Sequence, residues 1–344
     1  MWHVAMHEAM ANSEDFEIHR VVLDNSIKKE LTFTDKGTIF HVLPRTKRTI
    51  GLYTRYIWDR WQVARCLNKI QPNLVHAWGT EDCYGLCGSD FKGKRIFSAQ
   101  GLLCAYAQRA KIAAFEVKQS RYEKQVLNSY NLITTESQWA KDRVLELAPN
   151  ANVELWDYSA EQRFFNITRN PSDSPSCLIA GTNTPVKNVP LAIKAFSSDK
   201  LSHVKLYMAG VAPSAYSNLP SNIIPLGHLS RTDLAECIKR TWALVHPSLA
   251  DCCPNIIKEA RVMGVPCVVT QDCGAKQYVI HGKSGFVTEP NNLEQFEEAV
   301  LQLLSSKEVN LAMGAYDCER CRADLSDSVM VSKIINIYNR ILAS

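Results

Sequence analysis

The sequence predicts an α/β chain built on parallel sheets and divided into two domains. Three observations carry this. Short apolar runs alternate with longer runs of helical period, the pattern of strand–helix–strand units. The alternation stops at a polar stretch rich in Asn, Pro and Ser, Asn166–Pro175, and then restarts. The length of 344 residues, 46% hydrophobic and 22% charged, suffices for two cores of ordinary size. That composition also excludes collagen-like, disulfide-scaffold and disordered classes.

In the first half the expected strands are Glu17–Leu23, Ile39–Leu43, Leu74–Trp78, Arg95–Ala99, Leu132–Thr135 and Val153–Trp156. Helical periodicity covers Ile50–Ile70, Ala105–Leu127 and Gln138–Leu147. After the linker, strands are expected at Ser176–Ala180, Val204–Ala209, Ile223–Leu226, Ala243–His246, Pro266–Thr270 and Gly285–Thr288. Helices fall at Val189–Ser197, Thr232–Arg240 and Pro254–Met263. Three more, near Leu293–Leu304, Val309–Ala323 and Ser328–Leu342, close the chain. The expected domains are therefore 1–165 and 176–325, joined by 166–175, with 326–344 a final helix packing back on the first domain. Parallel α/β sheets bind ligands beyond the carboxyl ends of their strands, and two such domains suggest a cleft.

Thirty-nine basic against 35 acidic residues give a net charge of +4, too little to argue for nucleic acid. The surplus is local. Between Arg45 and Lys69 lie seven basic residues and one acid, Asp59. On one continuous helix, Tyr53, Ile57, Trp61, Ala64 and Leu67 share a face, with Arg48, Arg55, Arg65 and Lys69 opposite. Two readings stand: an ordinary helix with its apolar face in the core, or a patch for a phosphate-bearing acceptor or an anionic membrane, aided by Tyr56 and Trp58.

The twelve cysteines form no disulfide or zinc-ribbon framework, since Cys318-x-x-Cys321 has no second pair at metal spacing. Reduced thiols are expected. His246 with Cys252 and Cys253 has poor ligand spacing for zinc. No apolar run reaches the length of a membrane span, and no signal peptide opens the sequence. The Asn166-Ile167-Thr168 sequon is read as chance without a secretory signal. Gly282-Lys283-Ser284 resembles the tail of a P-loop, but Gln277 stands where its first glycine belongs.

The informative block is His246–Val269, HPSLADCCPNIIKEARVMGVPCVV. A strand ends at His246, a loop runs through Asp251, and a helix starts near Pro254, where proline suits a first turn. The N–H groups of Asn255 and Ile256 would point at a phosphate or sugar oxygen. Asp251 and Glu259 could meet one ligand from different heights, a carboxylate being a good acceptor for vicinal hydroxyls. Equally, Asp251 could be a helix cap and Glu259 a solvated helix residue.

This block resembles the donor-site signature of glycosyltransferase family 4, retaining enzymes of the GT-B fold. The resemblance runs from Asp251-x7-Glu259 through Ala260 and Gly264-Val265-Pro266 to Val268-Val269. Gly181 and Lys187, Gly227, Asp272 and Gly274, and Gly282-x-x-Gly285-Phe286 keep the family's order. Upstream, Leu74–Glu81, Ser98–Leu103 and Thr134–Ala140 are similar to landmarks of its acceptor domain, placing His76, Gln100 and Gly101 on the acceptor side.

The resemblance implies two Rossmann-like domains facing across a cleft and a sugar moved from a nucleotide donor to a glycan or lipid-linked acceptor. The setting would be polysaccharide or glycoconjugate assembly on the cytoplasmic side, with no metal or cofactor. It implies that Glu259 holds the ribose hydroxyls and that Asp251, where the family usually has Glu, holds a hydroxyl of the transferred sugar. Cys253, Asn255 and Ile256 would cradle sugar and phosphate, and Lys187 would neutralise the leaving diphosphate. Backbone near His228 would meet the base.

Three departures stand out. Thr182 occupies the place where the family pairs an arginine with the lysine, and Gln100 the place of an acceptor-side histidine. The chain opens at Met1-Trp2-His3-Val4-Ala5, resembling the fold's first helix, without a counterpart to its first strand and glycine-rich loop. A non-catalytic relative that binds nucleotide or glycan is one alternative. A GT-B epimerase or phosphorylase is another.

Overall fold

The computed structural model describes Met6, Met10 and residues 16–344. The expectation for the opening residues Met1–Ala5 lies outside them. The chain forms two compact units. One runs to Tyr158, leaves out Gln108–Ile112 and takes in Asp327–Ser344; the other is Gln108–Ile112 with Ser159–Ser326. The change of unit thus comes at Tyr158/Ser159. Asn166–Pro175 is bonded into the second unit, where Asn170 and Ser172 donate to the Lys239 and Arg240 carbonyls at 3.0 and 2.9 Å.

The first unit holds two sheets. In one, β1 (Ile18–Asp24) pairs in parallel with β3 (Thr38–Pro44), and β2 (Leu31–Asp35) pairs antiparallel with β3. Lys36 and Gly37, both at positive φ, make the two-residue turn between β2 and β3. The sequence reading missed β2 because it lies exposed along its whole length, with no burial pattern to betray it.

The other sheet is parallel, ordered β4 (Leu74–Trp78), β5 (Lys94–Ala99), β6 (Leu132–Thr135) and β7 (Val153–Leu155). Ile96, Leu132 and Trp156 pack with Met330, Ile334 and Tyr338 of the final helix, Asp327–Ala343. The Trp156 indole donates to the Met330 carbonyl at 3.1 Å.

The basic segment departs from the single helix expected. It forms two helices, Arg48–Tyr53 and Ile57–Ile70, because Arg55 and Tyr56 both adopt φ of 54°. That break sends Tyr56 inward, where its hydroxyl donates to the Gln119 Oε1 at 2.8 Å. The second helix is consequently rotated. It buries Asp59, Gln62, Val63, Cys66 and Leu67, a clean i, i+3, i+4, i+7 stripe. Of the face expected in the core, only Leu67 is buried; Tyr53, Ile57 and Trp61 are exposed. The expected helix Ala105–Leu127 is likewise three: Leu103–Arg109, Ala114–Ser120 and Glu123–Leu127.

The second unit carries one six-stranded parallel sheet, ordered β10 (Ile223–Gly227), β9 (Lys205–Ala209), β8 (Ser176–Ala180), β11 (Ala243–His246), β12 (Cys267–Thr270) and β13 (Gly285–Thr288). Every residue of β8, β11 and β12 is buried, as expected of parallel strands covered on both faces. One layer packs Ile257, Ala260 and Val262 against the sheet; Leu191, Phe196, Phe296 and Val300 form the opposite layer. Gly285 is obligatory at the start of β13. Its φ is +149°, and a Cβ there would collide with the Cys267 carbonyl of β12. The helix expected over Val309–Ala323 is two, Lys307–Ala315 and Cys318–Asp324, parted by Asp317 at φ of 62°.

Candidate active site

The carboxyl ends of β8 and β11 bring together most of the residues singled out in the sequence. Gly181 follows β8 at φ of +144°, and its N–H donates to the Ala209 carbonyl at 3.1 Å. The chain continues through the exposed Thr182 to a 3-10 turn, Pro185–Lys187. The Leu249 N–H donates to the Val186 carbonyl at 2.7 Å, tying that turn to the loop after β11. A small pocket opens here, lined by Ala180, Gly181, Thr182, Lys187, Val211 and His246.

Asp251 sits between two partners. The Lys187 ammonium forms an ion pair with its Oδ2, and the His246 Nε2 lies 2.9 Å from the same oxygen. Burial opposes a charge on Asp251, but Lys187 and the His246 hydrogen bond outweigh it and bring the carboxyl down to about 2. Burial also works against the Lys187 charge, and again Asp251 prevails and raises it. Desolvation pushes His246 below its usual value against the pull of Asp251. At neutral pH the trio is therefore Lys⁺, Asp⁻ and a neutral imidazole donating from Nε2.

The helix Asn255–Val262 follows, with Pro254 at its N-cap and no side-chain cap. Asn255 is exposed, Ile256 half-buried and Cys253 buried at this end. Glu259 is buried on the helix, so it is no solvated surface residue. Burial raises its carboxyl, while an ion pair with Arg231 pulls the other way. Arg231 holds Glu161 as well, at 2.9 Å, and lies over the Phe164 ring at 4.9 Å. Arg261, two residues on from Glu259, is structural: it donates to the carbonyls of Tyr278, Val265, Gly314 and Tyr316. Gly227 ends β10 at φ of +67°, and His228 beside it is exposed.

On the first unit, His76 is half-buried and bonded at both ring nitrogens. Its Nδ1 meets the Tyr338 hydroxyl at 2.6 Å and its Nε2 the Ser98 hydroxyl at 2.7 Å, with the ring stacked on Trp78. It sits mid-strand in β4, not at the strand end. Gln100 and the buried Gly101 do lie just past β5. Beside them is Glu81, whose carboxylate fills the space above Gly79 and Gly101. Its burial raises its carboxyl, offset in part by backbone N–H donors.

Sequence reasoning gave no role to Arg231, Glu161 or Glu81. An arginine beside a Ser N-cap just after Gly227-His228 was the available hint of the first; Ser230 does cap that helix, accepting from the Asp233 N–H. Its pairing across sequence with Glu259 is a tertiary fact with no local mark.

Residues 160–320 match the family described as glycosyl transferases group 1. An uncharacterized glycosyltransferase of Methanocaldococcus jannaschii is 23% identical over 88% of this chain and 84% of its own length. The UDP-Gal:alpha-D-GlcNAc-diphosphoundecaprenol alpha-1,3-galactosyltransferase of Escherichia coli is 29% identical, over 36% of this chain and 27% of its own. Among solved structures, sucrose-phosphate synthase of Thermosynechococcus elongatus superposes with a TM-score of 0.82 at 15% identity, covering 98% and 92% of the two chains. Anabaena HepE, solved with UDP and glucose, gives 0.72 at 12% identity, covering 98% and 95%. At these identities the structural likeness establishes the fold. The chain thus has the GT-B fold and is similar to the group 1 glycosyltransferases through residues 160–320.

Proposed function

We propose that the protein is a retaining glycosyltransferase of family 4, moving a sugar from a nucleoside-diphosphate sugar to a glycan or lipid-linked acceptor. The observation that carries this is the clustering of Lys187, Asp251 and the uncapped helix start at Pro254 around the carboxyl ends of β8 and β11. A cation and an uncapped helix N-terminus in one place suit a diphosphate. In support, HepE was solved with UDP and glucose and the E. coli relative is named for a diphosphoundecaprenol acceptor.

In this reading the diphosphate lies against Lys187 and the N–H groups of Asn255 and Ile256, with Gly181 and Thr182 bordering it. The transferred sugar donates a hydroxyl to Asp251, and Glu259 accepts the ribose hydroxyls beside Arg231. The base lies near Gly227 and His228. The bond from the anomeric carbon to the phosphate oxygen breaks, and that oxygen gathers negative charge. The acceptor oxygen bonds the same face of the anomeric carbon, and its proton passes to the departing phosphate. Gln100, which cannot exchange a proton near neutral pH, suits a route needing no acceptor-side base. Asp251 keeps Lys187 charged throughout.

Neutralisation by Lys187 and backbone amides calls for no metal. EDTA in the assay should leave turnover unchanged; loss restored by a divalent cation would contradict this. A lipid-linked acceptor places the reaction on the cytoplasmic face of a membrane, with segment 45–69 as the contact. No helix among the described residues is long and apolar enough to span one.

The direct test supplies UDP-, GDP- and ADP-sugars and follows hydrolysis by proton NMR. One donor should release its sugar first as the anomer it carried. Release of the opposite anomer would contradict retention. A non-catalytic relative remains the second reading, favoured by Thr182 in place of a second cation; it predicts nucleotide binding with no release from any donor.

A further inference from the structure

The basic segment does the reverse of what its periodicity suggested. Its apolar residues face out: Tyr53 is 72% exposed, Ile57 68%, Trp58 52%, Trp61 49%, and Ile50 beside them 52%. These five side chains lie on two successive short helices. Trp58 and Trp61 stack at 4.9 Å between ring centroids. The helix Ala114–Ser120 continues the surface: the Lys118 ammonium lies over the Tyr53 ring at 4.5 Å and bonds its hydroxyl, and Val117 is 43% exposed. Such a contiguous aromatic and aliphatic patch is unusual on a solvated face.

Most of the charges around it are basic, and the half-buried Glu116 caps its own helix by accepting the Ala113 N–H at 2.8 Å. Lys47, Arg55, Arg121 and Lys124 are exposed along its border, Arg55 bonding the neutral Gln125 amide at 2.7 Å. The acids nearby are consumed elsewhere. Asp82 is paired with Arg45 and Asp90 with Arg60, while Glu30 takes Arg65 and Lys69. Asp59 is buried and accepts the Thr46 N–H at 2.8 Å.

We propose that this surface seats on an anionic phospholipid bilayer, with Tyr53, Ile57, Trp58 and Trp61 entering the headgroup boundary and the surrounding lysines and arginines meeting phosphates. This deepens the membrane side of the reading above, naming the face that makes the contact; it involves no donor-site residue. Tyr and Trp favour the membrane–water boundary, and each cation near an anionic leaflet adds to the attraction. A second copy of the chain fits less well. A two-fold interface through this patch would set the same cations against themselves.

The test is sedimentation of the full chain with vesicles of phosphatidylcholine alone or mixed with phosphatidylglycerol. The wild type should sediment with the mixed vesicles and be released as salt rises. Trp58→Ala/Trp61→Ala and Lys47→Glu/Arg55→Glu should each weaken binding by roughly tenfold or more. Both should keep the wild-type thermal transition and nucleotide affinity, so failure here is distinct from failure of the donor site. No sedimentation of the wild type at low salt would overturn the proposal, as would equal binding by both variants. A wild-type dimer that Trp58→Ala/Trp61→Ala dissociates, with no vesicle binding, would assign the patch to a second copy instead.

Discussion

Lys187→Ala is expected to lower kcat for donor cleavage by about a hundred- to thousandfold, the cost of removing one preorganised charge partner from a developing anion. Lys187 sits at the end of a 3-10 turn held to the next loop by the Leu249–Val186 hydrogen bond, and it is kept charged by Asp251. Thr182, the neighbouring place where a second cation would stand, is uncharged, so less remains to compensate. Donor hydrolysis measured at saturating donor isolates kcat. A variant within tenfold of the wild type would remove Lys187 from the leaving-group role.

The second large effect is on stability. Asp251→Asn should cost the second unit about 3 kcal/mol, because a Lys187 ammonium is left in a mostly buried place without its carboxylate. For a unit of this size that is roughly 6–12 °C in its thermal transition. Asp251→Asn/Lys187→Met should recover much of the loss, since replacing both partners removes the stranded charge. No recovery would mean that the pair is not the source.

The same trio fixes an acid profile. Asp251 has its folded value lowered to about 2 from 3.8, so its contribution is whole above that ordinary value and is lost as pH falls toward 2. His246 is held below 6.5 when folded, so the unfolded chain takes its proton first and stability declines as pH falls below 6.5. Chemical denaturation across pH should show both declines in the wild type. Asp251→Asn should lack the lower one.

Much of the second unit was legible in sequence because its central strands β8, β11 and β12 are buried on both faces and read as continuous apolar runs. Ser176–Ala180, Ala243–His246 and Gly285–Thr288 stand where their apolar runs lie. The first unit was less legible, and the reasons are specific. Arg55 and Tyr56 take left-handed backbone without being glycine, asparagine or aspartate, and together they split a helix that the periodicity reads as continuous. At Arg55-Tyr56 the split also changes which face is buried. The edge strand Leu31–Asp35 has no hidden face to read. In the site, residue types and spacing pointed to Lys187, Asp251 and Glu259, while their pairings with each other and with Arg231 exist only in three dimensions. His76 adds a pairing of the same kind: its ring nitrogen bonds the hydroxyl of Tyr338 from the far end of the chain, which no local pattern marks.

In the function proposed above, the second unit binds a nucleoside diphosphate through Glu259 and the helix it rides on. Calorimetric titration of the wild type and Glu259→Ala with UDP, GDP and ADP tests it most directly. One nucleotide should bind the wild type and bind Glu259→Ala roughly tenfold or more weakly, the worth of hydrogen bonds to a charged acceptor. Binding of none of the three, or equal binding by both proteins, would contradict it.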